Sequence, residues 1–235
     1  MIMLRGLAAG LLAVAPVISY AQSTDATAVD PDVHAVVLEN DYIRVFDARA
    51  SRGTKSPLHT HPPMVLISVG KARFRITPEG GKPGIFDLNP GQVVWVPGTQ
   101  HSWELIAGEL HAIGVEIKSA QKEGVPPAPQ RAANDVVAAD PDVHHVLFEN
   151  PQVRVFEGRA SHGRRSPMHS HPPTALVSLD WLRLKLTQPD GKTSIHDFSP
   201  GQVLWVANGG EHSWEAIAGN GRVIAIEVKA ARPGA

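Results

Sequence analysis

The feature that most constrains the fold of this chain is an internal repeat. The segment DPDVHAVVLENDYIRVFDARAS, which begins at Asp30, matches DPDVHHVLFENPQVRVFEGRAS, which begins at Asp140, and the offset of 110 residues holds over most of each copy. A unit that occurs twice at a fixed offset is expected to fold twice in the same way. We therefore predict two similar domains joined by a Pro- and Ala-rich linker, with the bounds 30–118, 119–139 and 140–229.

Within each copy, short stretches alternate between apolar and polar residues, as in IRVFDAR, ARFRIT, LRLKLT and HAIGVEIK. An alternation of period two is typical of β-strands with one buried face. Turn-forming clusters such as PEGGKPG, LNPGQ and QPDGK separate these stretches, and no segment has a sustained helical period. The predicted fold class is all-β, with two tandem antiparallel sandwiches or barrels.

The N-terminal segment, MIMLRGLAAGLLAVAPVISYAQS, has the composition of an export signal. Arg5 supplies a positive charge, an apolar stretch follows, and small residues precede a cleavage site after Ala21. An uncleaved membrane anchor is the alternative, but the apolar stretch is shorter than the ~20 residues that span a bilayer. Residues 1–21 are therefore predicted to be a signal peptide. The mature chain is expected to be secreted, without membrane attachment, and periplasmic if the organism is a Gram-negative bacterium.

The charge and the cysteine content of the chain exclude several classes of function. A formal net charge of -1, without a Lys- or Arg-rich run, gives no electrostatic basis for nucleic-acid binding. The absence of cysteine excludes disulfides and thiolate metal ligands. A small-molecule substrate or ligand is therefore the expected partner. The sequence is compatible with a monomer or a homo-oligomer.

Each copy contains a His-x-His pair, His59 and His61 in the first and His169 and His171 in the second. Residues two apart on a β-strand point to the same face, so both imidazoles of a pair are expected to enter the barrel side by side. A buried imidazole needs a proton partner or a metal, and neutral imidazole is a common metal ligand. We expect the inner face to continue through alternate residues after each pair: Pro63, Val65, Ile67 and Val69, or Pro173, Ala175, Val177 and Leu179.

A third histidine, a tryptophan and a glutamate follow a turn in each copy: His101, Trp103 and Glu104 in the first, and His212, Trp214 and Glu215 in the second. By strand alternation the tryptophan shares the face of the histidine, where it forms either a substrate wall or ordinary core. The glutamate is expected on the opposite face. It either orients a ligand histidine from behind or belongs to a solvated surface.

These histidines resemble the two motifs of the cupin superfamily, G-x5-H-x-H-x3–4-E-x6-G and G-x5-P-x-G-x2-H. The first motif is matched in the two copies by Gly53, His59, His61 and Gly70, and by Gly163, His169 and His171. The second motif runs from Gly91 to His101 and from Gly201 to His212. The resemblance covers nearly the whole mature chain and implies a bicupin, with two jelly-roll (double-stranded β-helix) barrels. It implies two metal sites, His59/His61/His101 and His169/His171/His212.

Two departures from these motifs bear on the metal. The glutamate of the first motif is missing, and its position is taken by Val65 or Leu66 in the first copy and by Ala175 or Leu176 in the second. The second motif is one residue short in the first copy, and the second copy has Ala207 where proline is usual. A cupin with three histidines and no glutamate resembles the three-His dioxygenases, so Fe²⁺ is the favoured metal. Imidazole ligands also suit Mn²⁺, Zn²⁺, Ni²⁺ or Cu²⁺.

The leading hypothesis is thus an exported metal-binding bicupin of the dioxygenase type that acts on a small oxygen-bearing organic molecule, with lyase or isomerase chemistry as a related option. The alternative is a non-catalytic periplasmic protein that binds a metal or a small ligand. A third hypothesis is a division of labour, with one site active and the other structural. Barrels that have lost their metal and retain hydrogen-bonded histidines are the structural alternative to all three.

Two further pairs of residues recur in both copies. Arg44 and Arg154 lie on a strand near the start of each repeat, where they either hold a substrate carboxylate or belong to an outward face. His34 and His144 precede the first strand, and we expect them at the surface or at an interface.

Overall fold

The computed structural model describes residues 24–118, 134–207 and 211–229. The first repeat begins with a single helical turn and continues entirely in strands. Its elements are α1 (Ala26–Val29), β1 (His34–Glu39), β2 (Ile43–Ala50), β3 (Lys55–His61), β4 (Met64–Ser68), β5 (Ala72–Pro78), β6 (Gly84–Leu88), β7 (Val93–Val96), β8 (Thr99–Gly108) and β9 (Leu110–Ile117).

The second repeat has the same succession of elements. They are α2 (Val136–Ala139), β10 (His144–Glu149), β11 (Val153–Ala160), β12 (Arg165–His169), β13 (Thr174–Ser178), β14 (Leu182–Thr187), β15 (Thr193–Phe198), β16 (Val203–Val206), β17 (His212–Gly219) and β18 (Gly221–Val228).

Each repeat folds into two antiparallel sheets whose inner faces share one core. Barrel one, the first repeat, combines a five-stranded sheet in the order β1-β2-β9-β4-β7 with a four-stranded sheet in the order β3-β8-β5-β6. Barrel two, the second repeat, has the corresponding orders β10-β11-β18-β13-β16 and β12-β17-β14-β15. The predicted fold class, all-β with two tandem cupin barrels, is confirmed.

Local sequence explains where the strands turn. In each copy, the sequence PGQ precedes a short strand, and its glycine, Gly91 or Gly201, has a φ of 78° or 83°. This left-handed conformation is accessible to glycine without the steric cost that a Cβ atom brings. The repeated turn therefore places β7 and β16 at the same position in the two barrels.

A segment that lies before the predicted start of each domain is part of the barrel. Asp25 caps α1, and Asp135 caps α2 by accepting hydrogen bonds from the backbone of Val137 and Ala138. Both aspartates also form a parallel β-bridge to the His-x-His strand, with Thr60 or Ser170 as the partner. Structurally, the second unit thus includes the last residues of the segment predicted as linker, 119–139.

The two barrels pack against each other through their five-stranded sheets. The shared core is built from fully buried aliphatic side chains of both sheets: Ile43, Val45, Val65, Ile67, Ile113, Val115 and Ile117 from barrel one, and Val153, Val155, Ala175, Val177, Ile224, Ile226 and Val228 from barrel two. Tyr42 of one barrel also contacts Trp205 of the other, with ring centroids 5.8 Å apart. The outward face of each five-stranded sheet is therefore buried along its three central strands, which are mainly apolar on both faces, whereas the edge strands β1 and β10 are largely exposed.

This packing corrects the predicted inner face of the strand after each histidine pair. Val65 and Ile67 lie in the core between the barrels, not inside barrel one. The reason is the Pro-Pro step after His61, because β3 ends there and belongs to the four-stranded sheet, whereas β4 belongs to the other sheet. A strand interrupted by proline loses its register, so the alternation starts again, and Met64 and Leu66 face the barrel interior. The second copy repeats this arrangement.

The predicted signal peptide, residues 1–21, lies outside the described residues. None of the helices in the described ranges has the length and hydropathy needed to cross a membrane.

Candidate metal centres

In barrel one, the two predicted metal-binding segments lie side by side. β3 pairs with β8 so that His59 is directly opposite His101. The ring centroid of His59 lies 5.0 Å from that of His61 and 4.7 Å from that of His101, and His61 and His101 are 5.6 Å apart. The barrel thus brings all three predicted histidines into one cluster at its interior end.

A fourth histidine, His34 on β1, belongs to the same cluster. Its ring lies 5.1 Å from His59 and 5.3 Å from His61, and only 4% of the residue is exposed. One ring nitrogen from each of His34, His59 and His61 lies within 4.8 Å of the others. The expectation that His34 lies at the surface or an interface was wrong. The recurrence of a histidine at the same repeat position, His144, was the available signal.

Barrel two has the corresponding cluster with different spacings. Ring nitrogens of His169, His171 and His212 lie within 4.8 Å of one another, as the sequence predicts. His144 is also buried, which corrects its predicted surface position, and its ring lies 5.7 Å from that of His169. Because each barrel folds its first strand over the His-x-His strand, four imidazoles converge in both copies.

Backbone carbonyl groups fix the protonation of most of these rings. A carbonyl oxygen accepts hydrogen bonds and never donates, so a ring nitrogen bonded to it must carry the proton. The Nδ1 atoms donate to carbonyl oxygens in His34 (Asp30, 3.2 Å), His59 (Pro57, 2.8 Å), His144 (Asp140, 3.2 Å), His169 (Pro167, 2.8 Å) and His171 (Pro172, 3.2 Å). In each neutral ring the Nε2 atom therefore retains its lone pair.

Burial favours the neutral form of six of these rings, because it lowers the pKa of His34, His59, His101, His144, His169 and His171. It lowers the pKa of His34 to about 4 and that of His101 to about 3, and the neighbouring imidazoles act in the same direction. In barrel two, burial lowers the pKa of His169 to about 3 and that of His171 to about 4. Neutral imidazoles with a free Nε2 lone pair are the form that binds a metal ion.

Among these histidines, His59 gives the clearest evidence that the site suits a metal ion. Its Nε2 atom is fully buried and has no hydrogen-bond partner among the described residues. A buried polar atom without a partner costs roughly 1–3 kcal/mol, and coordination to a cation removes that cost. The residues present therefore suit a divalent transition metal in barrel one, held by His34, His59, His61 and His101.

Sequence reasoning missed a buried carboxylate behind the histidines. Glu116 on β9 is fully buried, and its Oε1 accepts a hydrogen bond from Nδ1 of His61 at 3.0 Å. Its Oε2 accepts from Nε of Arg44 at 2.5 Å, and Arg44 continues to Asp25 at 2.6 Å. A carboxylate that holds the second nitrogen of a ligand histidine orients the ring and raises its basicity. Arg44 therefore binds this carboxylate. It neither holds a substrate carboxylate nor belongs to an outward face.

Barrel two repeats the chain of ion pairs with a different histidine contact. Arg154 is buried and binds Glu227 and Asp135, each through two hydrogen bonds. His171, the counterpart of His61, instead donates from Nδ1 to the carbonyl oxygen of Pro172. Its ring lies at 37° to that of His169, whereas the corresponding rings in barrel one are nearly perpendicular, at 87°. The two centres are thus not identical.

The remaining predicted site residues divide between the two faces of the barrel wall. Trp103 and Trp214 are buried inside their barrels, where each lines a cavity next to the histidines. Glu104 lies on the outer face, where it pairs with Arg75 at 2.7 Å. Glu215 does the same with Arg165 at 3.0 Å. Both glutamates therefore stabilise the solvated face of their sheet and do not contact a ligand histidine.

A leucine takes the place of the motif glutamate in both copies. Leu66 and Leu176 face the interior cavities of their barrels, whereas Val65 and Ala175 lie in the core between the barrels. The leucine of each copy thus stands where a carboxylate would reach the histidines.

Comparisons with known proteins agree with the fold. No protein-family model and no curated protein sequence matches the chain. AerE from Microcystis aeruginosa is similar in structure, with a TM-score of 0.54 and 10% identity over 83% of this chain and 97% of that one. Oxalate decarboxylase from Bacillus subtilis, a protein with Mn(II) centres, has a TM-score of 0.52 and 14% identity over 82% of this chain and 70% of that one. A cupin 2 conserved barrel domain protein from Leptotrichia buccalis has a TM-score of 0.49 at 16% identity, over 84% of this chain and 88% of that one.

Fold and site together define the class of protein. The chain has the fold of the cupin superfamily, and each of its two barrels has a group of three buried or half-buried histidines, with a fourth nearby, whose arrangement suits a divalent metal ion.

Proposed function

We propose that the protein is a metal-dependent enzyme of the dioxygenase type that acts on a small oxygen-bearing organic molecule. One observation carries this proposal. Six of the eight clustered histidines donate a hydrogen bond from Nδ1 to a carbonyl or carboxylate oxygen, which leaves their Nε2 lone pairs available inside the barrels. The buried Nε2 of His59, which lacks a hydrogen-bond partner among the described residues, marks where a cation would bind.

The ligand set favours redox-active or Lewis-acid chemistry on an uncharged or anionic oxygen donor. Histidines without a coordinating carboxylate leave the full positive charge on a divalent metal, so an enolate or another oxygen anion would be attracted to it. When bound, the metal would polarise such a group, and iron(II) would also allow reaction with dioxygen. In a dioxygenase reaction both oxygen atoms enter the organic product, and the substrate supplies all the electrons. No separate reductant is needed.

The surrounding residues would hold and shield this chemistry. Carbonyl oxygens and Glu116 fix the orientation of the rings, so little reorganisation is required when a metal binds. The apolar walls next to the clusters, which include Trp103 and Trp214, exclude water from the reacting groups. The protein would therefore contribute binding, orientation and a dry environment.

The first test is metal analysis of the mature protein after expression with Fe²⁺, Mn²⁺, Zn²⁺, Ni²⁺ or Cu²⁺ supplied. We expect between one and two equivalents of a divalent metal per chain. Less than a tenth of an equivalent of every metal would refute the proposal. Protein loaded with Fe²⁺ without oxygen is then mixed with diketones, thiols and phenolic acids while oxygen uptake is recorded. A reaction under ¹⁸O₂ should place both labelled atoms in the product.

A non-catalytic binding protein is the alternative that this experiment separates. The small cavity of barrel one, about 80 Å³, favours it for that barrel. Metal binding without oxygen uptake and without a lyase or isomerase product would assign this role to the whole protein.

We also propose that the mature protein is exported, on the basis of its N-terminal sequence alone. Expression of the full chain in a Gram-negative host should give a periplasmic protein that starts at Gln22. Mass spectrometry of the periplasmic fraction measures this directly, and an intact chain that remains in the membrane would contradict it.

A further inference from the structure

We propose that the two barrels have different tasks: barrel two binds an organic ligand with an apolar body, whereas the cluster in barrel one holds its metal without binding that ligand. This inference rests on the proposed function, because it assigns the substrate site to one of the two candidate centres. It also specifies the chemical class of the ligand.

The two cavities next to the histidine clusters differ greatly in size. The cavity in barrel two has a volume of about 600 Å³, and the corresponding cavity in barrel one has about 80 Å³. Drug-sized ligands occupy cavities of roughly 300–1,000 Å³. The larger cavity reaches His144, His169, His171 and His212, so a ligand inside it would contact the candidate metal centre. The smaller one has room for only a few water molecules.

Side-chain size at equivalent positions explains much of the difference. Three large residues that line the cavity of barrel one have smaller counterparts in barrel two: Met64 corresponds to Thr174, Phe74 to Leu184 and Leu110 to Gly221. Phe74 packs edge-on against Trp103, with ring centroids 5.3 Å apart. Leu184 leaves that space beside Trp214 open. Substitutions within the repeat have therefore filled one barrel and left the other open.

A fourth exchange stacks a phenylalanine ring on the second histidine of the His-x-His pair in barrel one, whereas the phenylalanine of barrel two contacts His144 edge-on, with centroids 5.6 Å apart. In barrel one the ring of Phe46 lies against the backbone of Gly114, where an added Cβ would be 2.1 Å from Cζ of the ring. From there Phe46 stacks on His61, with centroids 5.4 Å apart. Barrel two has Ala225 at the glycine position, so its methyl group excludes the ring from that place. Phe156 instead lies beside Arg154, 5.7 Å from the guanidinium carbon, and lines the open cavity.

The walls of the large cavity determine what it would bind. Most of the lining residues are apolar, among them Leu176, Leu184, Leu204 and Trp214. Polar lining groups come from the four histidines and from Gln188, Ser194 and Glu211. A matching ligand has an apolar body of aromatic size and an oxygen donor directed at the histidines. A small dianion such as oxalate would lose its hydration without gaining apolar contacts.

Binding to the zinc-loaded full chain tests this inference without reference to turnover. The probes are 1-phenylbutane-1,3-dione, pentane-2,4-dione and oxalate, titrated by isothermal calorimetry. We expect one phenyl diketone per chain, bound at least tenfold more tightly than pentane-2,4-dione, and weaker binding still for oxalate. Zinc content is measured on the same samples. A chain that binds neither zinc nor any of the other metals would refute the proposed function and the metal assigned to barrel one, whereas the stoichiometry and selectivity for the phenyl diketone decide which barrel binds the ligand.

A matched pair of variants locates the site. Leu184→Phe inserts into barrel two the ring that barrel one has, and should weaken binding of the phenyl diketone at least tenfold. Phe74→Leu makes the reverse exchange and should leave the affinity for the first equivalent within twofold. Unchanged zinc content and unfolding temperature would show that both variants fold.

Three results would overturn the inference. These are two equivalents of the phenyl diketone per wild-type chain, undetectable binding at millimolar concentration, and equal effects of the two substitutions. Tighter binding of oxalate than of the phenyl diketone would contradict the assigned ligand class.

Discussion

At the scale of single residues, Glu116 has the most specific relation to a candidate metal ligand. It is fully buried, it accepts a hydrogen bond from Nδ1 of His61, and it is held by Arg44. Burial of a carboxylate removes its hydration, which costs free energy. Hydrogen bonds and an ion pair compensate for this loss. Here the carboxylate also fixes which nitrogen of His61 faces the cluster. The chain uses a glutamate from β9 behind the histidines, instead of the motif glutamate beside them.

Substitution of Glu116 tests this arrangement. Glu116→Gln retains a hydrogen-bond acceptor but removes the charge, so we expect roughly 10–100-fold weaker metal binding at barrel one. Metal competition with a chromogenic chelator measures the change. Glu104→Gln is the control, because Glu104 pairs with Arg75 on the outer face and should leave the affinity unchanged. Equal affinity in wild type and Glu116→Gln would exclude the assigned role.

The buried histidines also predict a pH dependence of stability for the metal-free protein. Their pKa values in the folded state, about 4 for His34 and His171 and about 3 for His101 and His169, lie below the value of about 6.5 expected in the unfolded chain. At pH values between the folded and unfolded pKa values, the unfolded state therefore binds more protons than the folded state. The contribution of these histidines to the free energy of unfolding is complete above pH 6.5 and decreases as the pH falls toward 4.

Urea denaturation of the metal-free protein at pH 7.5, 6.5, 5.5 and 4.5 measures this dependence. The midpoint should fall most between pH 6.5 and 4.5. His34→Gln removes one of these groups and should reduce the slope. An unchanged midpoint over this interval would contradict the burial of neutral rings.

At the scale of elements, the step between β3 and β4 decides which residues face the candidate site. Pro62 and Pro63 end the histidine strand and transfer the chain to the opposite sheet. The same step occurs between β12 and β13. Alternation therefore predicts side-chain direction within a strand but fails across a change of sheet. The sequence HPP indicates this change of sheet, because proline is unfavourable inside a central strand.

A pair of glutamate substitutions in β13 tests the assignment. Leu176→Glu directs a carboxylate into the cavity beside the histidines, and we expect the metal preference to shift toward Mn²⁺, because carboxylate ligands suit harder ions. Ala175→Glu buries an unpaired charge between the two barrels and should prevent stable folding. Metal content after growth with mixed metals and circular dichroism are the measurements. A folded Ala175→Glu variant, or one that gains manganese, would reverse the assignment.

At the scale of the whole molecule, the two repeats form one structural unit. Their five-stranded sheets share an aliphatic core, so each barrel covers an apolar face that would otherwise be exposed to water. Burial of aliphatic side chains contributes roughly 1.5–3 kcal/mol for each one. Exposure of a contiguous apolar sheet face would promote self-association. The duplication therefore provides each barrel with its own partner surface.

Ile113→Ala tests the shared core. Ile113 is fully buried between the barrels, and its truncation should lower the free energy of unfolding by about 2–5 kcal/mol. Both barrels should still unfold in one transition, observed by calorimetry. Metal content should be unchanged, because Ile113 points away from the histidine clusters. Two separate transitions in the wild-type protein would show that the barrels are independently stable.

The sequence by itself determined the duplication, the all-β class and the convergence of the His-x-His pairs with His101 and His212. These features depend on period-two alternation, turn residues and fixed spacing, which are local or repeat along the chain. Only the tertiary structure decided that His34 and His144 join the clusters, that Glu116 binds His61, and that one cavity is open while the other is filled. Each of these depends on which strands become neighbours and on how side chains of different sheets share a volume, and spacing along the chain does not determine that.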